Sequence, residues 1–127
     1  MSNSIKHAVE NYIAAWGERE PARRADLVAR AVTDDVRLVI GASKREIRGR
    51  AELEAEIVSF QRSTHVVRVR STSGIDVQGS LCRFTPVVEG PQGQIGPEAL
   101  DACECDASGR IRLGLTFFNG GAQPPAD

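Results

Sequence analysis

Long apolar runs are missing from this sequence. None approaches the ~20 residues that a helix needs to cross a bilayer, so no membrane span is expected. The opening stretch, MSNSIKHAVENY, lacks the apolar segment of a secretory signal. Cysteine is scarce and odd in number: Cys82, Cys103 and Cys105. Without a signal, that count argues against a disulfide framework and for reduced thiols in the cytoplasm. Histidine is scarcer still, with only His7 and His65. Cys103-x-Cys105 therefore lacks the companions a metal site requires, and no metal is expected. Their spacing puts both thiols on one face of a strand, where core packing is the expected role. Neither sign of charge dominates, with 16 Lys and Arg against 17 Asp and Glu. The basic footprint of a nucleic-acid binder is absent, and so is an acidic tail.

What is present reads as an ordinary globular domain. The chain has 127 residues, 41% hydrophobic and 26% charged, enough for one core. That domain is expected over residues 1–120, with a flexible tail at 121–127. Ile5, Val9, Tyr12, Ile13 and Trp16 recur at helical spacing and predict a helix over 4–17. EREP is a polar break, and Pro21 suits the first turn of a second helix that ends near Thr33-Asp34-Asp35. A short strand is expected at Val36–Ile40, then a loop, GASKRE. Leu53, Ile57 and Phe60 mark a third helix from about Arg50 to Arg62.

The character then changes. HVVRVRST, GIDVQG, LCRFTPVVEG, EALDACECD and RIRLGLTFFN are strand-like runs separated by turn residues. Three helices followed by antiparallel strands predict an α+β architecture with the helices on one face of a sheet. DASG, at Asp106–Gly109, joins the last two strands. Pro86 cannot donate to a sheet ladder and points to a bulge or an edge. Asp76 and Glu104 are expected as solvated strand residues. Asp101 stands out: the alternation of EALDACECD turns it inward, among apolar neighbours.

The order of elements, with YIAAW, VTDDVRLV, IRGRAELEAEI and DASGRIRLGLTFF, resembles the nuclear-transport-factor-2-like superfamily in its SnoaL-like and ketosteroid-isomerase-like branch. The resemblance implies a cone: three N-terminal helices on a strongly curved antiparallel sheet that encloses an apolar pocket. It also implies a homodimer formed through the sheet, and chemistry that needs neither metal nor organic cofactor. Steroid isomerases of this fold use a base, a tyrosine and a protonated aspartic acid. The tyrosine matches Tyr12 and the aspartic acid Asp101, but the base falls on Ile40. The carboxylates of the limonene-epoxide-hydrolase branch fall near Arg83-Phe84-Thr85 and on Thr116, so both are missing. The acid–base aspartate of SnoaL-type polyketide cyclases matches Asp101, while their supporting histidine has no counterpart on the strand from Ser80 to Glu89.

The expected reading is thus an isomerase, cyclase or lyase for a hydrophobic, polyketide- or terpenoid-like metabolite, with Asp101 as acid–base and Tyr12 as hydrogen-bond donor. The alternative is a non-catalytic binder of a hydrophobic small molecule. Alternation and helical spacing propose the pocket wall. Trp16, Leu53, Ile57 and Phe60 come from the helices, Ile40 from the first strand, and His65 from the rim. Cys82, Phe84, Pro86 and Val88 come from one strand face, and Gly114, Thr116 and Phe118 from the last strand.

Overall fold

A computed structural model describes residues 2–41 and 43–118. The expected tail at 121–127 lies outside the described residues. Helix α1 (Ser2–Gly17) buries Ile5, Ala8, Val9, Tyr12 and Ala15 along one side, the stripe that helical spacing dictates. Helix α2 (Pro21–Ala31) begins with proline in its first turn, as expected. Its cap is Glu20, whose carboxylate accepts from the N–H groups of Ala22 (3.3 Å) and Arg23 (2.7 Å).

α2 does not run on to Thr33-Asp34-Asp35. It ends at Ala31, and strand β1 (Val32–Ile40) starts with no loop between them. Carbonyls at a helix end need donors from elsewhere. Arg50 supplies them to Ala29 (3.2 Å) and Val32 (2.7 Å), and Arg110 adds a bond to Ala29 (3.0 Å). The β-branched pair Val32-Thr33 then favours extended backbone, and a register shift between Val32 and Arg37 absorbs the change of direction.

The expected loop after β1 is partly a strand. Arg45–Arg48 forms β2, paired antiparallel to β1 with Ile40 opposite Arg45. Helix α3 (Gly49–Ser63) follows, with Leu53 and Ile57 fully buried. β3 (Arg68–Ser71), β4 (Asp76–Gln78), β5 (Leu81–Phe84), β6 (Pro86–Gly90), β7 (Gly93–Ile95), β8 (Ala99–Cys105) and β9 (Ile111–Phe118) complete the chain. They make a six-stranded sheet in the order β2-β1-β9-β8-β5-β4 and a three-stranded sheet in the order β3-β6-β7. β1 and β9 run parallel; the other pairs are antiparallel. The architecture is α+β, with the sheet curved around the helices.

LCRFTPVVEG, read as one strand, is two. Thr85 separates β5 from β6, and the two halves belong to different sheets. Thr85 accepts from the Thr72 N–H (2.8 Å) and donates its own N–H to the Ser71 hydroxyl (3.2 Å). The long hairpin therefore stays connected through its bend. Pro86 sits as the first residue of β6, where a missing N–H is least costly. β7 arises within the segment expected as a plain turn, EGPQGQIG.

The β8–β9 turn is as expected. The Asp106 carboxylate accepts from the Ser108 N–H (3.0 Å) and the Arg110 N–H (3.1 Å). Gly109 has φ +91°, and a Cβ there would lie 2.7 Å from the Ser4 Cβ, so only glycine fits between turn and helix. Among the described residues, no helix is long and apolar enough to cross a membrane.

Candidate functional site

Strand β8 alternates strictly, with Ala99, Asp101, Cys103 and Cys105 turned in. The neighbouring registers fix what Asp101 meets. Phe84 on β5 and Thr116 on β9 lie directly opposite it, and Ile40 on β1 lies opposite Thr116. Residues in register share a face, so Phe84, Asp101, Thr116 and Ile40 form one row across four strands. Above this row is a cavity of about 460 Å³. α1 closes one side with Tyr12, Ile13 and Trp16, and α3 closes another with Glu56 and Phe60. The aromatic rings meet edge to face. Tyr12 lies 6.2 Å from Trp16 and 6.4 Å from Phe84 between centroids, and Trp16 lies 5.3 Å from Phe60.

Asp101 is 6% exposed. Its Oδ1 accepts a hydrogen bond from the Thr116 hydroxyl at 2.5 Å. Burial pushes the carboxyl up to about 6, against a smaller downward pull from the Thr116 bond. No cation contributes to that balance among the described residues. Tyr12 is held well above the ordinary phenol range, first by burial and then by the nearby charge of Asp101. The site thus pairs a carboxyl able to change protonation near neutrality with a phenol that keeps its proton. Among the described residues, no cluster of side chains suits a metal ion.

The expected wall residues divide into two groups. Trp16, Ile40, Phe60, Phe84, Pro86 and Val88 lie on the cavity, as do Thr116 and Phe118. Leu53 and Ile57 do not: both are fully buried in the core, and Glu56 and Phe60 take the cavity side of α3. Cys82 is also core. It opposes Cys103 across β5 and β8, on the far side of Phe84 from the Thr85 bend. Gly114 is packed against Leu38; a Cβ there would lie 2.7 Å from the Leu38 Cδ2, so nothing projects into the hollow. His65 is exposed between α3 and β3, because the chain turns Val66 inward in its place.

Sequence reasoning missed Arg45 and Glu56, which both line the cavity. Glu56 had a legible signal. It stands three residues after Leu53 and four before Phe60, a carboxylate inside an apolar helical stripe. Arg45 had none, since its strand was read as a loop. Ile13, Ser43, Val69, Pro97 and Ala99 complete the missed part of the wall.

No family model matches the chain, and no curated protein sequence matches it. Solved structures do. A SnoaL-like family protein from Agrobacterium tumefaciens, named as a candidate isomerase, superposes with a TM-score of 0.79 at 24% identity, covering 93% of this chain and 99% of that one. A candidate ketosteroid isomerase from Kribbella flavida gives 0.70 at 14% identity over 98% of this chain and 84% of its own. An epoxide hydrolase from M. tuberculosis, similar to the limonene enzymes, gives 0.64 at 21% identity over 92% and 84%. The fold is the nuclear-transport-factor-2-like one found in SnoaL-like and ketosteroid-isomerase-like proteins.

Proposed function

We propose that this protein moves a proton on a small apolar carbonyl compound, as an isomerase, cyclase or lyase, with Asp101 as the acid–base group. One observation carries the reading: a carboxyl pushed up to about 6 opens onto a largely apolar cavity, and no cation among the described residues contributes to that shift. At pH 7 such a group is about nine-tenths ionised, so the base form dominates while the conjugate acid stays accessible. Asp101 takes a proton from a carbon next to the carbonyl. The electron pair left behind moves onto the carbonyl oxygen, and the protonated Tyr12 donates a hydrogen bond to that oxygen. Asp101 then returns its proton to the same skeleton or to a departing group. Names of proteins with this fold, candidate isomerases and an epoxide hydrolase, support small-molecule chemistry as the class.

A readout on a surrogate substrate tests this. Exchange of the acidic C–H protons of an apolar cyclic diketone with D2O is followed by NMR. The wild type is expected to accelerate exchange, with the rate rising through about pH 6. Asp101→Asn is expected to lose about 10²–10⁴-fold. Binding of the diketone without any acceleration would favour the alternative, a non-catalytic carrier. That alternative draws on Ile40, an apolar side chain where steroid isomerases of this fold keep a base.

Two further expectations belong to the same reading. Leu81, Leu115 and Phe117 are exposed on the outer face of the six-stranded sheet and support a homodimer formed through it. Sedimentation should show a dimer that Phe117→Lys dissociates; a wild-type monomer at high protein concentration would sink that assignment. The three unpaired thiols fit a reducing compartment such as the cytoplasm.

A further inference from the structure

Apart from Ser43, whose hydroxyl donates to the Ile40 carbonyl (3.3 Å), the polar side chains of the cavity fall into two sets. Asp101, Tyr12 and Thr116 lie deep: Asp101 is 6% exposed and its neighbour Phe84 is 1% exposed. Arg45 and Glu56 lie at the open end, Arg45 on the edge strand β2 opposite Ile40 and Glu56 on α3. The Arg45 Nη2 meets the Glu56 Oε1 at 2.5 Å, with side-chain exposures of 56% and 15%. Glu56, rooted in α3 and largely buried, therefore anchors a guanidinium that reaches out over the mouth. A guanidinium carries five N–H donors in a rigid fork. Among the described residues, the remaining donors of Arg45 have no protein partner.

We infer that Arg45 is a specificity residue: the cavity takes an apolar molecule whose outer end carries a carboxylate, read by Arg45 at the mouth while the reacting carbon lies against Asp101. The inference rests on the acid–base reading for the deep end and adds the chemistry of the outer end. Two effects orient such a ligand. The ionised Asp101 repels a carboxylate from the deep end, and the free face of Arg45 attracts it at the mouth. Between the two ends the wall is apolar, with Ile13, Trp16, Phe60, Val69 and Val88. Glu56 both positions Arg45 and competes for it, so removing the Glu56 charge should leave the guanidinium more available.

The test uses a shape-matched pair of probes, phenylbutyrate and phenylbutyramide, titrated calorimetrically into the full chain. The wild type should prefer the carboxylate. Arg45→Gln should lower that preference about tenfold and leave amide affinity within about twofold, and Glu56→Gln should raise it several-fold. The ratio is the readout because a merely structural disturbance would weaken both probes together. If both probes bind the wild type equally, or the preference survives Arg45→Gln, the inference falls and the acid–base reading stands. If neither probe binds while the diketone exchange proceeds, Arg45 again has no such role. If neither probe binds and exchange is absent, the reading of the cavity as a substrate site falls with it.

Discussion

The inward face of β8 passes through two different surroundings. Cys103 and Cys105 point into a packed half, with Cys82, Ile5, Val9 and Ile111 around the same core. Asp101, one alternation earlier on the same face, opens onto the hollow half. The strand pattern is identical in both. What differs is the helix side opposite. The first turns of α1 present compact aliphatic side chains, whereas its last turns present Tyr12 and Trp16. Those rings meet Phe84 and Phe60 edge to face and prop the walls apart. A hollow here comes from large rings braced against each other and not from a shortage of apolar residues. A carboxyl in the packed half would be a defect; in the hollow half it becomes a reagent, because burial lifts its affinity for a proton while leaving it reachable.

Truncating one side chain in each half tests the comparison most strongly. Leu53→Ala removes a fully buried side chain from the packed half and should cost about 2–5 kcal/mol in urea unfolding. Ile40→Ala removes a half-exposed wall residue that already borders empty space, and should cost about 1 kcal/mol or less. Equal losses would mean that the hollow is not open in solution.

A smaller effect of opposite sign comes from the carboxyl itself. Its folded-state value, about 6, lies above the ordinary 3.8, so the folded protein disfavours the charged form. Below both values the group is neutral in the folded and unfolded states, and its ionisation costs nothing. As pH rises from about 4 to 6 the unfolded chain ionises first, and wild-type stability falls. Asp101→Asn escapes that loss. At pH 7 it should be more stable than the wild type by about 1–3 kcal/mol, with the gap closing near pH 4. Thermal unfolding across that range checks it; a variant less stable at pH 7 and equally so at pH 4 would place Asp101 in a structural role.

The registers show why part of the site could be read in advance. Asp101, Phe84 and Thr116 each stand on the inward side of an alternating run, which alternation shows strand by strand, and the registers then set the three in one row. Leu53 and Ile57 were expected on the wall because helical spacing identifies an inward stripe but not which side of that stripe meets a cavity. Cys82 was misplaced for a related reason: it shares the inward face of β5 with Phe84, and a period of two does not tell which stretch of that face is packed. Arg45 was invisible because β2 is an edge strand rich in charge, and such a strand carries no apolar signature.

The sequence by itself determined the α+β order, the proline-led start of α2, the β8–β9 turn and the inward direction of Asp101. Each follows from neighbours close along the chain, where periodicity and backbone chemistry act. Only the tertiary structure decided that the Asp101 end of the sheet is hollow, that Thr116 is its partner, and that Arg45 and Glu56 meet at the mouth. Those depend on side chains from separate elements arriving at one point, and on the space they leave unfilled, which no local pattern encodes.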